Sequence, residues 1–110
     1  MGQFIKGDIV VISFPFSNLT ASKRRPALVI AQASDSELIL AQITSRSFRD
    51  RFAVELSSND FSVGNLNVLS FIRTNKLFTV EDSLISYKAG HLKQEKLSEV
   101  VNSVIAIIKS

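Results

Sequence analysis

In KRRPALVIA, residues 23–31, the cations Lys23, Arg24 and Arg25 stand directly before a proline and an unbroken apolar run. A buried strand gains nothing from cations at its mouth, since burying an unpaired charge is strongly unfavourable. Two readings follow. One is a solvated turn that happens to be basic. The other is a rigid strand that holds Arg24 or Arg25 at a site for an anion, above all a phosphate, whose oxygens fit the guanidinium fork. A second constellation is ITSR, where Thr44 and Ser45 end an apolar stretch and Arg46 opens the basic segment SRSFRDR with Arg49 and Arg51. Thr44 either closes a strand in the ordinary way or offers a hydroxyl beside the cations. Phosphate chemistry without a metal has modest needs: a fixed cation for the charge of the transition state, donors beside it, and groups to move protons. RNA brings its own nucleophile, the 2′-hydroxyl.

Other chemistries find few parts. With one histidine and no cysteine, disulfides, thiolate catalysis and cysteine-rich zinc sites are excluded. Asp50, Glu55 and Asp60 are too scattered for a metal, and no EF-hand or H-E-x-x-H spacing occurs. Neither a metal nor a cofactor is expected. His91, in KAGHLKQ, reads as a capping or packing residue rather than a catalyst, and nothing around any serine favours a triad built on it. There is no Walker loop, dinucleotide fingerprint or G-x-S-x-G elbow.

The elements that must position these residues are mostly short strands. Asp8 to Phe14 (DIVVISF) is rich in Val and Ile and stops at Pro15. PFSNLTASKRR is polar and turn-forming, so a loop is expected through Arg25. Further strands are expected over Pro26 to Gln32, Glu37 to Thr44, Phe52 to Leu56, Asn67 to Ile72 and Lys76 to Val80. Ser57 to Asn65 reads as a polar excursion, and Glu81-Asp82 as an acidic turn. Many short strands at close spacing indicate a small barrel or a sandwich. Leu97, Val100, Val101, Val104, Ile105 and Ile108 then recur at spacings of three and four, which predicts an amphipathic helix from Lys93 to Lys109. Ile107 lies off that stripe and fits either contact with a second subunit or deep burial. A small barrel closed by one C-terminal helix is the economical picture.

The chain of 110 residues is one domain, with 45% hydrophobic and 21% charged residues, so it is neither disordered nor a coiled coil. Thirteen basic and ten acidic residues give a net charge of +3, a mild bias toward polyanions. The N-terminal MGQFIKGDIVV lacks the features of a signal peptide, and no apolar stretch approaches the roughly 18 residues that cross a bilayer. A cytoplasmic protein without membrane attachment is expected.

Four segments together resemble the PemK/MazF family of toxin ribonucleases from type II toxin–antitoxin modules. These are KGDIVVISFPF, KRRPALVIA, AQITSR and SFIRTNKLFTV, in the family's order and spacing and followed by its final helix. The resemblance implies an SH3-like barrel with a C-terminal helix, usually a homodimer. It implies metal-independent cleavage of single-stranded RNA to 2′,3′-cyclic phosphate and 5′-hydroxyl ends. It also implies a cognate antitoxin with an acidic disordered segment, and DNA binding by the toxin–antitoxin complex. Arg25 matches the family arginine before the proline, and Thr44 matches the threonine at the strand end. Arg25 would neutralise the scissile phosphate, Thr44 would donate a hydrogen bond to it, and Ser45 would help. Lys23, Arg24, Arg46, Arg49 and Arg51 would hold neighbouring phosphates, with salt-dependent affinity. Phe48 would stack on a base or be buried. Arg73 and Thr74 match the family's Arg-Thr pair, in a structural or RNA-positioning role. Ser70 stands where several members carry an acidic residue that assists proton transfer.

Two other functions compete with cleavage. One is a CcdB-like gyrase inhibitor, a class that shares the fold but lacks the Arg-Pro and Thr-Ser elements. The other is a homologue that binds RNA or antitoxin without cutting, a reading that Ser70 keeps open.

Overall fold

The computed structural model describes residues 3–15, 22–46 and 51–110. Seven strands precede one helix: β1 (Asp8–Pro15), β2 (Ser22–Gln32), β3 (Glu37–Thr44), β4 (Ala53–Leu56), β5 (Phe61–Gly64), β6 (Ser70–Glu81), β7 (Ile85–Leu92) and α1 (Gln94–Lys109). They form a single sheet in the order β4-β6-β3-β2-β1-β7-β5, with every neighbouring pair antiparallel. The sheet curls into a half-barrel, and the chain is mainly β with a C-terminal helix.

Both faces of the central strands are covered, which is why β1 and β2 read as continuous apolar runs rather than alternations. Ile9, Leu28, Ile43, Leu56 and Ile72 form one buried cluster, joined by Val100 of the helix. Val10, Ile12, Ala27, Val29, Leu38 and Leu40 form a second cluster on the opposite face, with Phe4, Phe78 and Ile85 against it. The helix joins the first cluster through Val100 and also buries Leu97 and Val104. A 16-residue helix is marginal in water by itself. Burial contributes about 1.5–3 kcal/mol for each such side chain and holds it in place.

The glycine and aspartate of KGDIVV are structural. Gly7 has φ 97°, and a Cβ there would lie 2.9 Å from His91 Cε1. Asp8, at the head of β1, is fully buried. Its Oδ1 meets His91 Nδ1 at 2.7 Å and Lys88 Nζ at 3.3 Å, and its Oδ2 accepts the Ile5 N–H at 2.9 Å. His91 therefore packs and pairs, as a lone histidine before a helix is expected to do.

Several boundaries differ from the sequence expectation. β2 begins at Ser22 rather than Pro26, so Lys23, Arg24 and Arg25 belong to the strand and not to the loop. The reason is the hairpin partner: β1 runs on to Pro15, pairing Ile12 with Arg25, Ser13 with Arg24 and Pro15 with Ser22. The expected strands Asn67 to Ile72 and Lys76 to Val80 are one strand, β6. It is interrupted where the register against β3 jumps from Gln42↔Arg73 to Ala41↔Leu77. Ser57 to Asn65 is not irregular throughout, since it holds a 3-10 turn at Ser58–Asp60 and then β5. Strand β7 went unforeseen. Its apolar alternation at Ile85, Tyr87 and Ala89 is diluted by Lys88, Gly90 and His91. On the helix, Ile105 and Ile108 belong to the expected stripe but are 43% and 74% exposed.

Candidate active site

Arg24 and Arg25 point to opposite faces of the sheet, because successive strand residues alternate. Arg25 lies across from Ile12, a member of the second cluster, and shares its face. Ala27 of β2 pairs with Gln42 of β3. Two residues further along these strands, Arg25 and Thr44 occupy that same face. Pairing of Thr44 with Phe71 and of Gln42 with Arg73 extends the face onto β6.

Arg25 is half-buried and lines a cavity of about 290 Å³ with Pro26, Gln42, Lys76, Leu77 and Phe78. Thr44 is half-buried, and its Oγ1 accepts the Arg46 N–H at 3.1 Å. That acceptor role leaves the Thr44 O–H to donate elsewhere. The face thus combines a guanidinium, a hydroxyl donor and an amide from Gln42, groups of the kind that can donate to an anionic oxygen.

The remaining expected residues fall elsewhere. Arg24, Ser45 and Ser70 line a second cavity, about 270 Å³, on the opposite face with Tyr87 and Val68. Ser70 is 2% exposed, and its hydroxyl donates to the Val68 carbonyl at 3.1 Å. It stands apart from Arg25 and Thr44. Arg46 is exposed just past β3. Arg51 lies over the Phe52 ring at 4.8 Å, in a pocket against Ser103 and Ile107 of α1. Arg73 is half-buried between β3 and β4, opposite Gln42 and Ala53. Lys23 lies within β2 opposite Phe14. Phe48 and Arg49 are outside the described residues. Sequence reasoning missed Gln42 and Lys76. Gln42 carries a legible signal, being the polar residue two positions before Thr44 in AQIT; Lys76 carries none, because a bulge places it.

Among the described residues, no three His, Cys, Asp or Glu side chains group as metal ligands. No described helix is long and apolar enough to cross a membrane.

A mainly β chain curled into a half-barrel, followed by a C-terminal helix, is the architecture to which the sequence motifs pointed. A family profile described as PemK-like, MazF-like toxin of type II toxin–antitoxin system matches residues 5–108. The chain belongs to that family. Among solved structures, a MazE–MazF crystal structure (Form-III) from Deinococcus radiodurans is similar at 20% identity and TM-score 0.76, with 94% of each chain covered. An endoribonuclease from a mycobacterial species superposes with TM-score 0.76 at 8% identity, over 99% of this chain and 94% of that one. A mycobacterial endoribonuclease in complex with its cognate antitoxin gives TM-score 0.75 at 8% identity, over 99% of this chain and 96% of the other. Among curated proteins, none matches the chain.

Proposed function

We propose that this protein is a sequence-selective endoribonuclease toxin that cuts single-stranded RNA without a metal. The observation that carries the reading is that Arg25 of β2 and Thr44 of β3 lie on one face of the sheet, each two residues beyond the Ala27–Gln42 pair. In this mechanism the RNA 2′-oxygen attacks the adjacent phosphorus and the 5′-oxygen departs. A 2′,3′-cyclic phosphate and a 5′-hydroxyl remain. One proton leaves the attacking oxygen and one reaches the leaving oxygen. Arg25 neutralises the charge that builds on the non-bridging oxygens. Arginine stays protonated in proteins, so its electrostatic role is the stronger assignment. Thr44, its oxygen already accepting from Arg46, donates its proton to a phosphate oxygen. Family membership and structural neighbours described as endoribonucleases support the reading.

The same reading gives the protein a cytoplasmic setting, where its RNA lies, and a homodimeric assembly. It also gives it a cognate antitoxin whose complex with the toxin binds DNA, in keeping with neighbours solved beside antitoxins. Incubation of the purified protein with a long single-stranded RNA in EDTA tests the activity. Discrete fragments with cyclic-phosphate ends are expected. Binding without cleavage would leave a non-cutting homologue, and gyrase arrest would replace the ribonuclease reading altogether.

A further inference from the structure

Lys76 belongs to a segment the ladder does not need. The register of β6 against β3 passes from Gln42↔Arg73 to Ala41↔Leu77, so Thr74, Asn75 and Lys76 are extra on the β6 side. In an uninterrupted register residue 76 would lie opposite Ile39, about 10 Å further along β3 at roughly 3.3 Å per residue. The bulge instead keeps Lys76 level with Gln42, where it lines the Arg25 cavity. Bulges commonly re-aim a side chain next to an active site.

This bulge is fastened at its first residue. Thr74 is 1% exposed, and both its N–H and its hydroxyl donate to the Phe52 carbonyl, at 3.1 Å and 2.6 Å. Because the Thr74 proton is spent there, the Ser103 hydroxyl of α1 donates to Thr74 Oγ1 at 3.1 Å. Asn75 and Lys76 are left exposed. Lys76 makes no ion pair among the described residues. Arg25 and Lys76 therefore line one cavity.

We propose that Lys76 is a second phosphate-binding cation of the Arg25 site, with the Gln42 amide donating to the same phosphodiester. The proposal rests on the ribonuclease reading for the identity of its ligand, single-stranded RNA. The arrangement divides the labour by geometry. Arg25, half-buried on a central strand, is fixed in direction, whereas the ammonium of Lys76 sits on a flexible stem and follows the phosphate as it moves.

The test uses a 2′-O-methyl RNA strand, which lacks the nucleophile and cannot be cut. Its dissociation constant is measured against salt for the wild type, Lys76→Gln, Lys76→Arg and the remote surface control Lys6→Gln. Lys76→Gln is expected to weaken binding about tenfold. It should also lower the slope of log K against log salt by about 0.7, the loss of one phosphate contact on a single strand. Lys76→Arg should restore both, Lys6→Gln should change neither, and the melting temperature of Lys76→Gln should match the wild type. An unchanged slope in Lys76→Gln overturns the proposal even where the wild type cleaves RNA in EDTA. A reduced slope in a protein that cleaves nothing sustains the anion site and sinks the ribonuclease reading instead. Absence of binding by the wild type overturns both.

Discussion

At the scale of single residues, the functional assignment depends on alternation along β2. Neighbouring arginines are chemically equivalent in sequence, yet Arg24 and Arg25 serve opposite faces of the sheet. Only Arg25 shares its face with Thr44 and Gln42. Arg25→Ala is therefore expected to abolish RNA cleavage while circular dichroism shows an intact fold. A purified variant that still cuts at a comparable rate would move the site elsewhere. Thr44→Val keeps shape but loses the donor, and cleavage in EDTA should fall by about 100-fold or more. Full activity would reduce Thr44 to a strand terminator whose oxygen holds the Arg46 amide. Ser70 has no such claim on that face: its proton is committed to the Val68 carbonyl on the opposite side.

Elements matter through their irregularities more than through their regular parts. A β6 in simple register with β3 would carry Lys76 out of the Arg25 cavity. What prevents it is the extra turn of chain fastened by Thr74 to Phe52 and to Ser103. Thr74→Val removes the side-chain hydrogen bonds at a buried position and leaves the Ser103 hydroxyl without its acceptor. A loss of about 1–3 kcal/mol is expected, measured by urea denaturation followed by circular dichroism. Affinity for the uncleavable RNA should fall with it, because a loosened bulge no longer holds Lys76 beside Gln42. Unchanged stability would mean that packing of β4 and α1 fixes the bulge without these bonds.

For the whole molecule, the outer side of α1 is the conspicuous feature. Ile105 and Ile108, 43% and 74% exposed, continue an apolar stripe past the point where the sheet covers it. Together with family membership, that surface motivates a homodimer. Light scattering at micromolar concentration should give twice the chain mass, and a monomer would count against the assembly. Regulation belongs to this scale too. A surface shaped for polyanions can be occluded by an acidic peptide, with opposite charges speeding the encounter and apolar residues slowing release. Hydrogen exchange with the neighbouring gene's product should show protection over Ser22 to Arg25 and Ser45 to Arg46. Protection confined to a remote face would require the partner to act by changing the assembly instead.

Much of this was legible in the chain itself. Strands β1 and β3 and helix α1 follow from local composition and period, which is why DIVVISF, ELILAQIT and the 3–4 spacing after Leu97 located them closely. That Arg25 and Thr44 match the family's motif residues was legible as a resemblance, and their common face follows from the strand register. Tertiary structure alone decided the rest. It extended β2 through three cations because β1 offered backbone partners there, and backbone pairing outweighs the weak propensity against charged strand residues. It separated Arg24, Ser45 and Ser70 from Arg25, since facing is a property of register and not of sequence order. It joined two apparent strands into β6 and turned the gap between them into the bulge that delivers Lys76. A bulge is set by what the partner strand and the helix require, and neither Thr-Asn-Lys nor its neighbours encode that requirement locally.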